Sequence, residues 1–138
     1  MKVVYQESIL YKVQSRIGDL PGKVIIRKDL EELGGYRQIS RALQELLKKG
    51  KIVRISSGAY AKARFSTITG EVGPAGSFSA IARELLNRLG VEWKPGRAEQ
   101  DYNAGRSTQV PVRGSVIIKG RLRRKIAWKG MQIPYERS

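Results

Sequence analysis

The sequence predicts an α+β fold in two units, and three observations predict it. Stretches with apolar residues at helical spacing alternate with short β-branched runs. A stretch rich in glycine, with one proline, interrupts the chain near its middle, between Phe65 and Ser77. The charge, +15 over 138 residues, falls in two blocks. Residues 1–64 carry 14 basic and 6 acidic side chains, and residues 106–138 carry 9 and 1, so each block has net +8. The stretch between them, 65–105, carries 4 and 5. The expected division is a first unit over 1–64, a linker over 65–76 and a small α+β unit over 77–138.

In the first unit, Ile9, Leu10, Val13 and Ile17 predict a helix over 8–18. Gly18 to Gly22, with Pro21, ends it. Val24 to Ile26 reads as a short strand. Lys28 to Leu33 reads as a short helix with Leu30 and Leu33 inward. Gly34-Gly35 then reads as a turn, since glycine takes positive φ at little cost. Ile39, Ala42, Leu43, Leu46 and Leu47 form one apolar stripe along a helix over 36–49, which Gly50 stops. Ile52–Ile55 and Ala59–Lys62 form a hairpin around Ser56-Ser57-Gly58. Helix, strand, helix, turn, helix, hairpin is the order of a winged helix-turn-helix.

A helix that reads DNA buries one face in its own domain and offers the other to the major groove. At about 100° per residue, Arg37, Arg41, Gln44 and Lys48 lie opposite the apolar stripe. Arginine makes bidentate bonds to guanine and glutamine to adenine, while lysine serves phosphate. The candidate DNA-contacting residues are therefore Arg37, Gln38, Ser40, Arg41, Gln44 and Lys48 on the helix. Lys51, Arg54, Ser56, Ser57, Gly58 and Lys62 join them from the wing, whose small tip lets backbone approach the duplex. Arg64 adds a flanking cation.

In the second unit, Ser77 is the expected N-cap of a helix reaching Leu89, with Ile81, Ala82, Leu85, Leu86 and Leu89 inward. Trp93 to Gly96 reads as a turn, and Ala98–Ala104 as a short helix with Tyr102 in the core. Val110–Val112, Val116–Ile118, Lys125–Trp128 and Gln132–Pro134 read as short strands of an antiparallel β-meander. Trp93 and Trp128 are either core anchors or exposed stacking platforms. Arg121, Arg123, Arg124 and Lys125 form the densest basic run. It is either a solvated turn or a contact for phosphate or an acidic partner.

Composition narrows the function classes. Without cysteine or histidine the chain cannot build disulfides, thiolate metal sites, thiol nucleophiles or Ser-His-Asp chemistry. Asp19, Asp29, Glu31 and Glu32 are better read as complementing helix dipoles than as a catalytic carboxylate cluster. The expectation is a protein that is not an enzyme and needs no cofactor or metal. No apolar run approaches the ~20 residues of a membrane span, and the N-terminus lacks a signal-peptide apolar stretch, so a cytoplasmic location with no membrane partner is expected.

The stretch from Arg37 to Tyr60 has a helix ending in Leu46-x-x-x-Gly50. Lys51-Ile52-Val53-Arg54 and a wing closing in Gly58-Ala59-Tyr60 follow it. Farther on comes Arg106-Ser107-Thr108-Gln109-Val110-Pro111. Together they resemble the AbiEi-like antitoxin and transcriptional-regulator family of type IV toxin–antitoxin systems, although the second half is shorter than that family's C-terminal region. The resemblance implies a repressor of its own operon, bound to an inverted repeat in its promoter, and a nucleotidyltransferase-like toxin as partner. The leading expectation is thus a sequence-specific regulator of double-stranded DNA. The alternative is a non-catalytic module whose basic C-terminal half clamps an acidic protein or structured RNA.

Overall fold

Spacing of apolar residues sets the first helix. Ile9, Val13 and Ile17, four apart, are all buried on one side of α1 (Lys2–Asp19), which is longer than the spacing alone predicts. The computed structural model describes residues 2–109 and 114–137. They form two units, Met1–Gly76 and Ser77–Ser138, both of mixed α and β structure.

In the first unit, α1 leads through a turn to β1 (Val24–Ile26). The predicted short helix over 28–33 is instead two 3-10 turns, Arg27–Asp29 and Glu31–Leu33, separated by the fully buried Leu30. The Asp29 carboxylate accepts the Ile26 N–H at 3.0 Å, which closes the first turn tightly. Next come α2 (Tyr36–Lys48), β2 (Ile52–Ser56), β3 (Ala59–Ser66) and β4 (Glu71–Pro74). The N-terminal half of β3 lies between β1 and β2, antiparallel to both, and Ala61 stands between Val24 and Val53. Leu30 and apolar side chains of α1, α2, β1 and β2 close one core with Tyr60.

Gly34 and Gly35 do not adopt positive φ, contrary to the turn expected there. Gly34 is fully extended, with φ 173°, and Gly35 has φ −70°. Gly34 instead answers a close approach: a Cβ there would stand 2.9 Å from Ile9 Cδ1.

The stretch predicted as a linker, 65–76, is structured. β3 runs on to Ser66, a turn closes at Gly70 with φ +71°, and β4 pairs back on β3 with Phe65 opposite Val72. Its glycines serve a second hairpin, and the boundary between units falls after Gly76.

In the second unit, Ser77 caps α3 (Phe78–Arg88) as predicted, its Oγ accepting the Ala80 N–H at 3.1 Å. Ile81, Ala82, Leu85 and Leu86 are its buried face. Then follow β5 (Trp93–Pro95), α4 (Arg97–Asn103), β6 (Val116–Ile118), β7 (Ala127–Trp128), β8 (Met131–Gln132) and β9 (Tyr135–Arg137). Trp93–Pro95 is thus a strand where a turn was expected.

The strands do not form a simple meander. β6 is central, antiparallel to β5 but parallel to β9, while β7 and β8 make a separate hairpin. Tyr102 is 41% exposed rather than in the core, because α4 turns Glu99 and Gln100 inward: Glu99 pairs with Arg83, and Gln100 donates to the Pro95 carbonyl at 2.6 Å. The strand expected over Val110–Val112 lies outside the described residues.

Candidate nucleic-acid interface

The helix α2 divides cleanly into two faces. Ile39, Ala42, Leu43 and Leu46 are at most 2% exposed, while Arg37, Arg41, Gln44 and Lys48 are exposed on the opposite side. Lys51 and Arg54 are exposed beside it on the β2 segment. None of these six side chains makes a hydrogen bond or ion pair with a described residue.

The other sequence candidates have internal work. Gln38 turns back so that its Oε1 accepts the Gly35 N–H at 2.8 Å, one half of a capping box at the start of α2. Ser40 accepts a hydrogen bond from Arg27. Lys62 donates its ammonium to the Leu20 carbonyl at 2.7 Å, tying β3 to the end of α1. Ser56 is only 7% exposed. A bulge between Arg54 and Ser56 breaks the strict alternation of β2 and turns Ser56 inward. Ser57 remains exposed at the tip, next to Gly58 with φ +68°. Gln38, Ser40 and Lys62 thus each have a partner within the chain, and Ser56 is buried.

Compared with known proteins, the chain matches no family model, no curated protein and no solved structure.

Spacing did not single out two residues at the start of α2. Tyr36, the first residue of the helix, is 73% exposed, and the Arg27 guanidinium lies 4.1 Å from its ring centroid. The same guanidinium reaches Ser40 one turn along the helix. Arg27 comes from the 3-10 turn after β1, so the cluster joins two elements that periodicity treats separately. An aromatic residue directly after Gly34-Gly35 was the one available signal.

In the second unit the basic run is spread over a loop after β6. Arg121, Arg123 and Lys125 are exposed, and Arg124 is half-buried, its carbonyl accepting the Tyr135 hydroxyl at 2.7 Å. Arg124 and Lys125 also make further contacts within the chain. The Arg106-to-Pro111 element begins with Arg106 paired to Asp101 at 2.9 Å, and its Val110 and Pro111 lie outside the described residues.

Neither tryptophan is fully buried. Trp93 donates its Nε1–H to Asn87 at 2.7 Å and stacks beneath Arg83, whose guanidinium also holds Glu99 at 2.8 Å and the Ser115 carbonyl at 3.1 Å. That network makes Trp93 a brace rather than an open platform. Trp128 is half-buried, with the Lys129 ammonium 5.5 Å from its ring.

Proposed function

We propose that the first unit is a winged helix-turn-helix that reads duplex DNA, with α2 in the major groove and the Ser57-Gly58 tip alongside. The observation that carries this reading is the exposed row Arg37, Arg41, Gln44 and Lys48, without internal partners among the described residues, backed by a buried apolar stripe. A solvated helix face needs only mixed charges; this face has cations and one amide, and Glu45, the helix's one acid, is drawn toward Lys49 at 4.0 Å. Lys51 and Arg54 supply phosphate contacts at the wing. The motif resemblance extends the proposal to a sequence-specific transcriptional regulator acting on its own promoter as an autorepressing antitoxin, with a nucleotidyltransferase-like toxin as partner.

The test is an electrophoretic shift with the gene's own upstream region, against an unrelated duplex as competitor. Wild type should prefer the upstream region. The double variant Arg37→Ala, Arg41→Ala should lose that preference, each lost bidentate contact removing about 1–3 kcal/mol of discrimination, while melting like wild type. A double variant with undiminished preference excludes α2 as the reading helix. Co-purification with the product of an adjacent nucleotidyltransferase-like gene tests the antitoxin role separately.

A further inference from the structure

Within the second unit the cations outnumber the acids. Each of its acids has a partner: Glu92 with Lys119, Glu99 with Arg83, Asp101 with Arg106, Glu136 with Ser115 and the Arg97 N–H, and Glu84 through contacts of its own. Arg121 and Arg137, by contrast, are exposed, and their guanidiniums have no partner among the described residues.

These two arginines line one open groove of about 550 Å³, whose remaining wall includes Ile118, Leu122, Tyr135 and Glu136. The volume lies in the range of small-ligand clefts, about 300–1,000 Å³. Strand alternation puts Tyr135 and Arg137 on one face of β9, and the Glu136 carboxylate between them is already engaged by the Ser115 hydroxyl and the Arg97 N–H. The Tyr135 hydroxyl is fixed on the Arg124 carbonyl, which orients its ring. Arg97 donates to the Arg137 carbonyl at 3.4 Å, bringing a third guanidinium to the same strand end.

We infer that this groove between β9 and the loop after β6 binds single-stranded nucleic acid, with phosphates on Arg121 and Arg137 and a base against Tyr135 and Leu122. Cations beside an aromatic and aliphatic wall are the pairing that strand-binding grooves use. A duplex offers phosphates but keeps its bases stacked, so the apolar wall would stay uncovered. A stretch of acidic residues alone uses the cations and likewise leaves the tyrosine face uncovered. Its lining residues all belong to the second unit.

The experiment uses the full chain and fluorescence anisotropy with a labelled short oligothymidylate, in excess unlabelled duplex. The double variant Arg121→Ala, Arg137→Ala should weaken oligothymidylate binding by about tenfold or more, as expected for charge-assisted contacts. It should also flatten the salt slope by about 1.4, at about 0.7 per single-strand phosphate. Tyr135→Leu should weaken binding by about fivefold or more. Arg41→Ala should leave it unchanged, which separates this site from the duplex reader whether or not that reader exists. Unchanged affinity in the arginine pair overturns the inference, and so does an equal loss on duplex DNA. Displacement of the oligonucleotide by a polyglutamate peptide at equal charge concentration overturns it in favour of an acidic protein. Thymidine monophosphate binding as tightly as the oligonucleotide overturns it in favour of a free-nucleotide pocket.

Discussion

The guanidinium of Arg27 lies over the ring of Tyr36, 4.1 Å from its centroid, and so ties the turn after β1 to the first residue of α2. The ring is otherwise largely open to solvent. An exposed cation–π pair contributes about 0.5–1 kcal/mol. A double-mutant cycle of Arg27→Ala and Tyr36→Leu, followed by urea unfolding, should return a coupling of that size. A coupling near zero means that the two side chains are neighbours without being partners.

The apolar stripe of α2 sets a larger effect. Leu43 and Leu46 are each 1% exposed in the core shared with α1. Leu43→Ala and Leu46→Ala should each cost about 2–5 kcal/mol. Urea denaturation checks this, and wild-type stability in either variant would place the buried face of the helix elsewhere.

Gly96 is a tight point of the second unit. A Cβ there would stand 2.1 Å from Ser115 Oγ and 2.3 Å from Glu136 Oε2. Gly96→Ala must therefore push the Ser115–Glu136 hydrogen bond apart or shift backbone, at a cost of about 1–3 kcal/mol. Hydrogen exchange should show lost protection across β5, β6 and β9, with the first unit unchanged. Retained protection in those strands would mean that the neighbouring side chains move aside freely.

Glu136 gives a pH dependence with a defined sign. Its carboxyl is held below the ordinary value of 4.5, first by the Ser115 hydroxyl and then by the Arg97 N–H. The folded state favours the anion, so this contribution to stability is present above the unfolded pKa and is lost as pH falls through the lower folded value. The stability difference between wild type and Glu136→Gln should be constant near neutrality and shrink below pH 4.5. A difference that grows on acidification would reverse the assignment.

Local rhythm made most of the first unit legible. The stripe Ile39, Ala42, Leu43 and Leu46 fixes both the existence of α2 and its exposed face, because burial on a helix follows from spacing alone. What spacing cannot carry is pairing between distant segments. Ser56 reads as a tip residue until the bulge beside it is seen, and a bulge is a property of two strands. Gly34 reads as a flexible turn, whereas its role is to make room for Ile9, which lies far from it in sequence. The parallel match of Val116 with Tyr135 is equally silent, since short β-branched runs look alike whichever way their neighbour runs. Of the candidate contacts, Arg37, Arg41, Lys48, Lys51 and Arg54 are exposed, as the spacing of the buried residues beside them implies. The internal partners of Gln38, Ser40 and Lys62 could not be read from spacing, because they come from turns and helix ends.

Gly50 ends α2 with φ +70°, and a Cβ on it would be 3.2 Å from the Val72 side chain of the second hairpin. The foot of the helix therefore rests on a segment that contributes none of its outward-facing side chains. Any side chain at position 50 would be strained by that φ and would meet Val72 as well, so the exit from α2 and the second hairpin are fitted to a residue with no side chain at all.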